Sequence, residues 1–95
     1  MVFMTMVKSP IDDIIRDVRG FIVNVQVRPF DIRDPENFDA ADVMWNGRYV
    51  TVQWLKRGGT RRSRIDVFVP PSDDGIDCGE SVEKAVETIL RALNG

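Results

Sequence analysis

The sequence predicts an α+β domain with two helices packed on one face of a three- to four-stranded, mostly antiparallel sheet, in the order α-β-(β)-β-β-α. Apolar residues recur at three- and four-residue spacing near both ends of the chain, which is typical of amphipathic helices. Between the helices apolar residues alternate, and two turn signals, Asn46-Gly47 and Gly58-Gly59, divide this region into hairpins. At 95 residues the chain has the length of one domain, so we assign residues 1–95 to it and expect 1–8 to be a frayed tail or an extra edge strand.

The first helix is predicted at residues 10–19. Ser9 is a favourable N-cap, and Pro10 suits the first helical position, where its missing N–H is not needed. Gly20 is expected to end the helix, because glycine readily adopts the left-handed conformation common at helix ends. The helix has one apolar stripe, formed by Ile11, Ile14, Ile15 and Val18.

A strand is predicted at residues 21–28, where every odd position is apolar and Pro29 stops the pairing. The acidic segment that follows, residues 30–42, supports two alternatives. In one it contains a short helix with Phe38 and Ala41 facing inward, and in the other it is a loop without regular structure.

Two hairpins are predicted next, with strands near 42–45, 48–56 and 62–69. Asn46-Gly47 and Gly58-Gly59 both favour two-residue turns, since their residues readily adopt positive φ. Such turns pair apolar residues across the strands: Val43 with Val50, Val50 with Val67, and Val52 with Ile65. All of these lie on one face together with Trp45 and Trp54, so both turns predict the same core side of the sheet.

Pro70-Pro71 ends the last of these strands, and residues 72–79 are predicted to be a loop of turn-forming residues. The second helix is predicted at residues 81–93. Its apolar stripe is formed by Val82, Ala85, Val86, Ile89, Leu90 and Leu93. Each helix and the sheet has one apolar face. The simplest way to bury all three faces is to pack both helices on the same side of the sheet.

The composition argues against an enzyme. The chain has no histidine, which removes the commonest general base and the commonest metal ligand, so we expect no catalytic residues, no metal and no cofactor. Its one cysteine, Cys78, has acidic neighbours that oppose thiolate formation, and it cannot form a disulfide within the chain. A chain without a disulfide suits the reducing cytoplasm, and no apolar run has the length of a membrane span, so we expect no membrane partner.

A cluster of positive charge lies at the predicted tip of the second hairpin, and we call residues 56–64 the basic tip. Five of its nine residues are cations and none is acidic, on a chain whose net charge is −2. The cations are Lys56, Arg57, Arg61, Arg62 and Arg64. We expect them to bind an anionic partner, with nucleic acid first among the candidates, since clustered Lys and Arg neutralise phosphates independently of base sequence. The alternative is that they only keep the hairpin from aggregating.

The sheet face away from the helices is predicted to carry an interface. The predicted register makes these pairs on that face: Tyr49 with Phe68, Met44 with Tyr49, Leu55 with Arg62, and Gln53 with Arg64. Aromatic residues, Leu and Met beside arginine are typical of an interface core, so a protein partner or a second copy of the chain is the rival prediction. Tyr49 and Phe68 are also candidates for stacking on unpaired bases. The alternative is that residues 30–42 fold over this face and cover it.

Overall fold

The chain folds into the predicted class of α+β domain. A computed structural model describes residues 9–30, 37–56 and 63–95. Its elements in chain order are α1 (Ile11–Phe21), β1 (Gln26–Pro29), β2 (Phe38–Trp45), β3 (Arg48–Leu55), β4 (Arg64–Phe68), β5 (Gly75–Asp77) and α2 (Val82–Asn94). The described strands form one five-stranded sheet in the order β1-β2-β3-β4-β5, and every neighbouring pair is antiparallel. The fold class is therefore confirmed, and the sheet has one short strand beyond the expected three or four.

Both helices cover the same face of the sheet. This core face is lined by alternate residues of the three central strands, which pair as Ala41–Val52–Val67, Val43–Val50 and Trp54–Ile65. Against it pack the fully buried residues of the two helices, Ile11, Ile14, Val18, Ala85, Ile89 and Leu93. Trp54 lies in this core and Trp45 packs half-buried against it, so both tryptophans lie on the predicted face.

Helix α1 differs from its predicted limits at both ends. It begins at Ile11, and the Ser9 hydroxyl accepts a hydrogen bond from the Ile11 N–H at 3.0 Å. It continues past Gly20, and the Ile22 N–H still donates to the Val18 carbonyl at 2.8 Å. The prediction that Gly20 ends the helix was wrong, because the helix continues to Phe21 and the C-cap residue Ile22 is buried in the core.

The predicted strand 21–28 forms only in its second half. β1 covers Gln26–Pro29, where it pairs with β2, and the turn before it is closed by the Val25 N–H donating to the Ile22 carbonyl at 3.2 Å. The expected alternation fails at the start, since Phe21 is 73% and Val23 85% exposed. Four of the five residues from 21 to 25 are apolar, but only Ile22 and Val25 are buried.

Strand β2 begins at Phe38, so residues 38–42 form neither the predicted helix nor a loop, and residues 31–36 lie outside the described part. Its N-terminal half extends the pairing with β3 as far as Phe38 opposite Leu55. The acidic Asp39 is tolerated on the core side, with 1% exposure, because its carboxylate accepts from the Ser9 hydroxyl at 2.7 Å and from the Ala40 N–H at 3.0 Å. A polar contact with a residue thirty positions away thus replaces the apolar residue that a strand pattern requires.

The first hairpin has the predicted register and the second does not. Asn46 and Gly47 have φ of 57° and 74°, and they form the two-residue turn that places Val43 opposite Val50. In the second hairpin Val52 pairs with Val67 rather than Ile65, a shift of two residues. An even shift keeps every side chain on its face, so the predicted core survives the error. The Gly58-Gly59 turn itself lies outside the described residues.

Strand β5 was missed, because its three exposed residues lie in the predicted 72–79 loop and are too few to show alternation. Gly75 suits this position, since a Cβ there would lie 3.0 Å from the Phe68 ring on β4. Helix α2 is confirmed, ending one residue beyond the prediction. The Ser81 hydroxyl caps it by accepting from the Lys84 N–H at 3.0 Å.

Candidate binding surface

The sheet face opposite the helices, here called the outer face, is arranged in four rows across the strands. From the basic tip towards the Asn46-Gly47 turn, the rows are Phe38–Leu55–Arg64, Ala40–Gln53–Asp66–Asp77, Arg28–Asp42–Thr51–Phe68–Gly75 and Gln26–Met44–Tyr49. Phe38 and Leu55 lie in the first row beside Arg64, Met44 and Tyr49 lie in the last row, and the carboxylates of Asp42, Asp66 and Asp77 lie in the two middle rows. These positions follow from the period of two along each strand.

Two buried carboxylates, Asp42 and Asp66, lie in the middle rows of the outer face, and each is paired with an arginine. The Asp42 carboxylate accepts from Arg28 Nη2 and from Thr51 Oγ1, both at 2.7 Å. Arg64 approaches Asp66 with two nitrogens, so that Nε and Nη2 each lie 3.1 Å from Oδ2. Asp42 and Asp66 are both 7% exposed, so the cationic partners compensate charges that water scarcely reaches.

Arg64 thus has a local role that the sequence did not predict. It precedes Asp66 by two positions on the same strand, which puts both side chains on the outer face. Its Nη1 also lies 4.0 Å from the Asp77 carboxylate on β5. Asp66 Oδ1 has no hydrogen-bond partner among the described residues, so the bonds from Arg64 to the other oxygen carry the compensation.

The remaining cations of the basic tip divide into described and undescribed ones. Lys56 is exposed at the end of β3, where its N–H donates to the Asn37 carbonyl at 2.9 Å and continues the pairing with β2. This bond fixes the backbone at the base of the tip. Arg57, Arg61 and Arg62 lie outside the described residues.

The four residues predicted as an interface all lie on the outer face. Tyr49 is 49% and Leu55 39% exposed, whereas Met44 and Phe68 are half-buried. The Met44–Tyr49 pair has the predicted register. The other predicted pairs were wrong because of the two-residue shift; the observed pairs are Phe68 with Thr51, Leu55 with Arg64, and Gln53 with Asp66.

The exposed apolar residues are therefore split between the two ends of the outer face. Tyr49 and Leu55 are six residues apart on β3, a separation of about 20 Å along the strand. Leu55 adjoins the basic tip, while Tyr49 and Phe68 line a shallow depression of about 360 Å³ beside Pro70-Pro71. Leu55 and Tyr49 thus do not lie in one compact apolar patch.

The lone cysteine lies in the core. Cys78 is 2% exposed, and its thiol lies 3.6 Å from the Ile76 carbonyl and 3.8 Å from Thr88 Oγ1. Burial raises the pKa of the Cys78 thiol, with nearby carboxylates adding to the effect. A protonated, buried thiol is a poor nucleophile.

No group of three or more metal-ligating side chains occurs within residues 9–30, 37–56 and 63–95.

Compared with models of protein families, with curated proteins and with solved structures, the chain matches none. In the described part of the chain, neither helix has the length and apolar character needed to cross a membrane.

Proposed function

We propose that the protein is a non-enzymatic binding module that holds the phosphate backbone of nucleic acid through its basic tip. The observation that carries the proposal is the concentration of charge: five cations and no acid in residues 56–64, on a chain of net charge −2. Cations so close together attract a polyanion although the whole chain is acidic, because screening limits charge interactions to about 8 Å in physiological salt.

The cations have separate tasks in this proposal. Arg64 is held by Asp66 and Asp77, so it stabilises the base of the tip and contributes little free charge. Lys56, Arg57, Arg61 and Arg62 remain to contact phosphates. Four such contacts correspond to a slope of log affinity against log salt of about −2.8 for a single strand and about −3.6 for a duplex.

The experiment is a titration of labelled, mixed-sequence RNA and DNA, single- and double-stranded, followed by fluorescence anisotropy across a salt series. Replacing Arg61 and Arg62 with Ala should weaken binding and reduce the slope by about 1.4 for a single strand. Arg19→Ala with Arg91→Ala is the matched control, because it removes the same net charge from exposed positions on the helices. If both double variants weaken binding equally, the net charge of the protein determines binding and the basic tip is not the binding site.

A second candidate function is protein–protein interaction through the outer face. It is favoured by the exposure of Tyr49 and Leu55, two large apolar side chains on a sheet face that the helices leave uncovered. A second copy of the chain is the simplest partner. Light scattering should then report a dimer that persists in high salt and that Tyr49→Ser weakens, whereas a monomer at all concentrations would exclude self-association.

We place the protein in the cytoplasm. The proposal is supported by the buried, unpaired thiol of Cys78, which a reducing compartment maintains. Fractionation of cells producing the protein tests it, and recovery in a secreted fraction would contradict it.

A further inference from the structure

A groove with an apolar floor runs between α1 and α2, on the side of the molecule opposite the outer face. Its apolar lining consists of Phe21, Val82, Val86 and Leu90, and its volume is about 830 Å³. The α2 residues that line it extend from Val82 to Leu90, a length of about 12 Å or slightly more than two helical turns. This length fits the side of one short helix.

Phe21 is the residue that the fold does not explain. Its side chain is 73% exposed at the end of α1, next to Gly20, around which a Cβ would meet nothing within 4 Å. The neighbouring Ile22 and Val25 already supply the apolar contacts that this segment makes with the core. A large aromatic residue held in water beside an apolar groove is typical of a binding surface.

The charged residues that line the groove favour a cationic partner. Three of them are acids, Asp17, Glu83 and Glu87, against the single base Arg16. Arg16 lies 3.2 Å from the Asp13 carboxylate and 3.4 Å from that of Asp17, and Glu87 lies 3.6 Å from Arg91, which is outside the lining. These exposed pairs reduce the negative charge of the rim, and the remaining excess of acid lies mainly at Glu83. An apolar floor with an acidic rim complements a helix whose apolar stripe is flanked by Lys or Arg.

We infer that the groove between α1 and α2 binds an amphipathic, basic helix of a partner protein. Apolar side chains of that helix at positions i, i+3 or i+4, and i+7 lie on the floor, and Phe21 packs against them. Lysines or arginines beside the stripe meet Glu83 and Glu87. None of the residues that line the groove belongs to the basic tip, so this inference does not depend on nucleic-acid binding.

The test uses a labelled model peptide of about four helical turns, with leucines on one face and lysines on the other. Two control peptides are used: one with the same composition in scrambled order, and one with Glu in place of Lys. Phe21→Ser should weaken binding of the amphipathic Leu/Lys peptide by about tenfold or more. Val23→Ser is the matched control, because Val23 is 85% exposed and does not line the groove.

The double variant Glu83→Gln with Glu87→Gln tests the role of charge. It should weaken binding of the Leu/Lys peptide, and the effect should be largest in low salt. Amide chemical-shift changes on the unmodified protein should map to both helices beside the groove, which locates the site without any variant. Equal binding of the scrambled peptide, equal effects of Phe21→Ser and Val23→Ser, or shifts confined to the outer face would each overturn the inference. So would dimerisation of the free protein that Phe21→Ser abolishes, because the occupant would then be a second copy.

Discussion

Arg64→Ala separates a structural cation from the phosphate-binding ones. In the native protein two guanidinium nitrogens lie 3.1 Å from Asp66 Oδ2, while Asp66 is 7% exposed. Removing Arg64 leaves the Asp66 carboxylate, which is 7% exposed, without its nearest cationic partner. The fully buried limit for breaking such a pair is about 3–5 kcal/mol. Because the Arg64 side chain is 44% exposed, water screens part of this effect, and we expect a loss of about 2 kcal/mol.

Urea unfolding followed by tryptophan fluorescence measures this loss, because Trp54 is 2% exposed in the core and becomes hydrated on unfolding. A second variant, Arg64→Ala with Asp66→Asn, removes the stranded charge together with its partner. The loss of unfolding free energy in this double variant should be about 1 kcal/mol smaller than the sum of the losses in Arg64→Ala and Asp66→Asn. This difference is the coupling expected of two residues in contact. Arg61→Ala with Arg62→Ala is the comparison, with stability unchanged within about 0.5 kcal/mol.

The same variants separate the two roles in binding. Arg64→Ala should leave the salt slope for oligonucleotides nearly unchanged, because its charge is already compensated by Asp66 and Asp77. The reasoning is refuted if Arg64→Ala leaves stability unchanged within about 0.5 kcal/mol but reduces the slope by about 0.7 or more. Arg64 would then contact phosphate directly, and its ion pair with Asp66 would not stabilise the fold.

Three further predictions concern stability. Ser9→Ala should lower the free energy of unfolding, measured in urea, by about 1–3 kcal/mol, because it removes a hydrogen-bond donor to the buried Asp39 and an acceptor at the start of α1. Ser9→Thr keeps the hydroxyl and is the control, so an equal loss in both variants would contradict the explanation. Gly75→Val should lower it by about 1–3 kcal/mol, since a Cβ there lies 3.0 Å from the Phe68 ring, and an unchanged urea midpoint would show that the ring moves freely. Because burial raises the pKa of Cys78 above its ordinary 9.0, the unfolded chain releases the thiol proton first, so stability should decline as pH rises above that value. Cys78→Ala should reduce that decline, and an identical pH profile in the variant would contradict it.

Most of the correct predictions concern features that a few neighbouring residues determine. Asn46 and Gly47 readily adopt the positive φ that a two-residue hairpin turn requires, so the turn, its register and the Val43–Val50 pair follow from two adjacent residues. The apolar stripe of α2 is likewise contained in one short segment. Such features can be read from the sequence because no distant part of the chain decides them.

The errors arose where distant contacts decide the structure. Asp39 interrupts the apolar pattern of β2 and is accommodated by Ser9, a contact that no local pattern reveals. The length of the second hairpin loop was misjudged, and this moved the partner of Phe68 from Tyr49 to Thr51. The odd positions of 21–28 were predicted to face the core, but β1 begins only at Gln26, so Phe21 and Val23 are exposed and the even-numbered Ile22 is buried instead.

For the candidate surface, the sequence predicted which residues lie on the outer face but not how they group. Met44, Tyr49, Leu55 and Phe68 all lie there, as their alternation required. The ion pair of Arg64 could have been anticipated from Asp66, which is two positions away and therefore on the same face. The groove between the helices gave no signal, because Phe21 was read as part of a strand.

The central claim is that the basic tip binds phosphates, and the salt dependence of oligonucleotide binding tests it most directly. The account predicts a slope near −2.8 for a single strand in the unmodified protein, reduced by about 1.4 in Arg61→Ala with Arg62→Ala and unchanged in Arg19→Ala with Arg91→Ala. An absence of binding at about 50 mM salt, or a slope that the tip variant leaves unaltered, would contradict it.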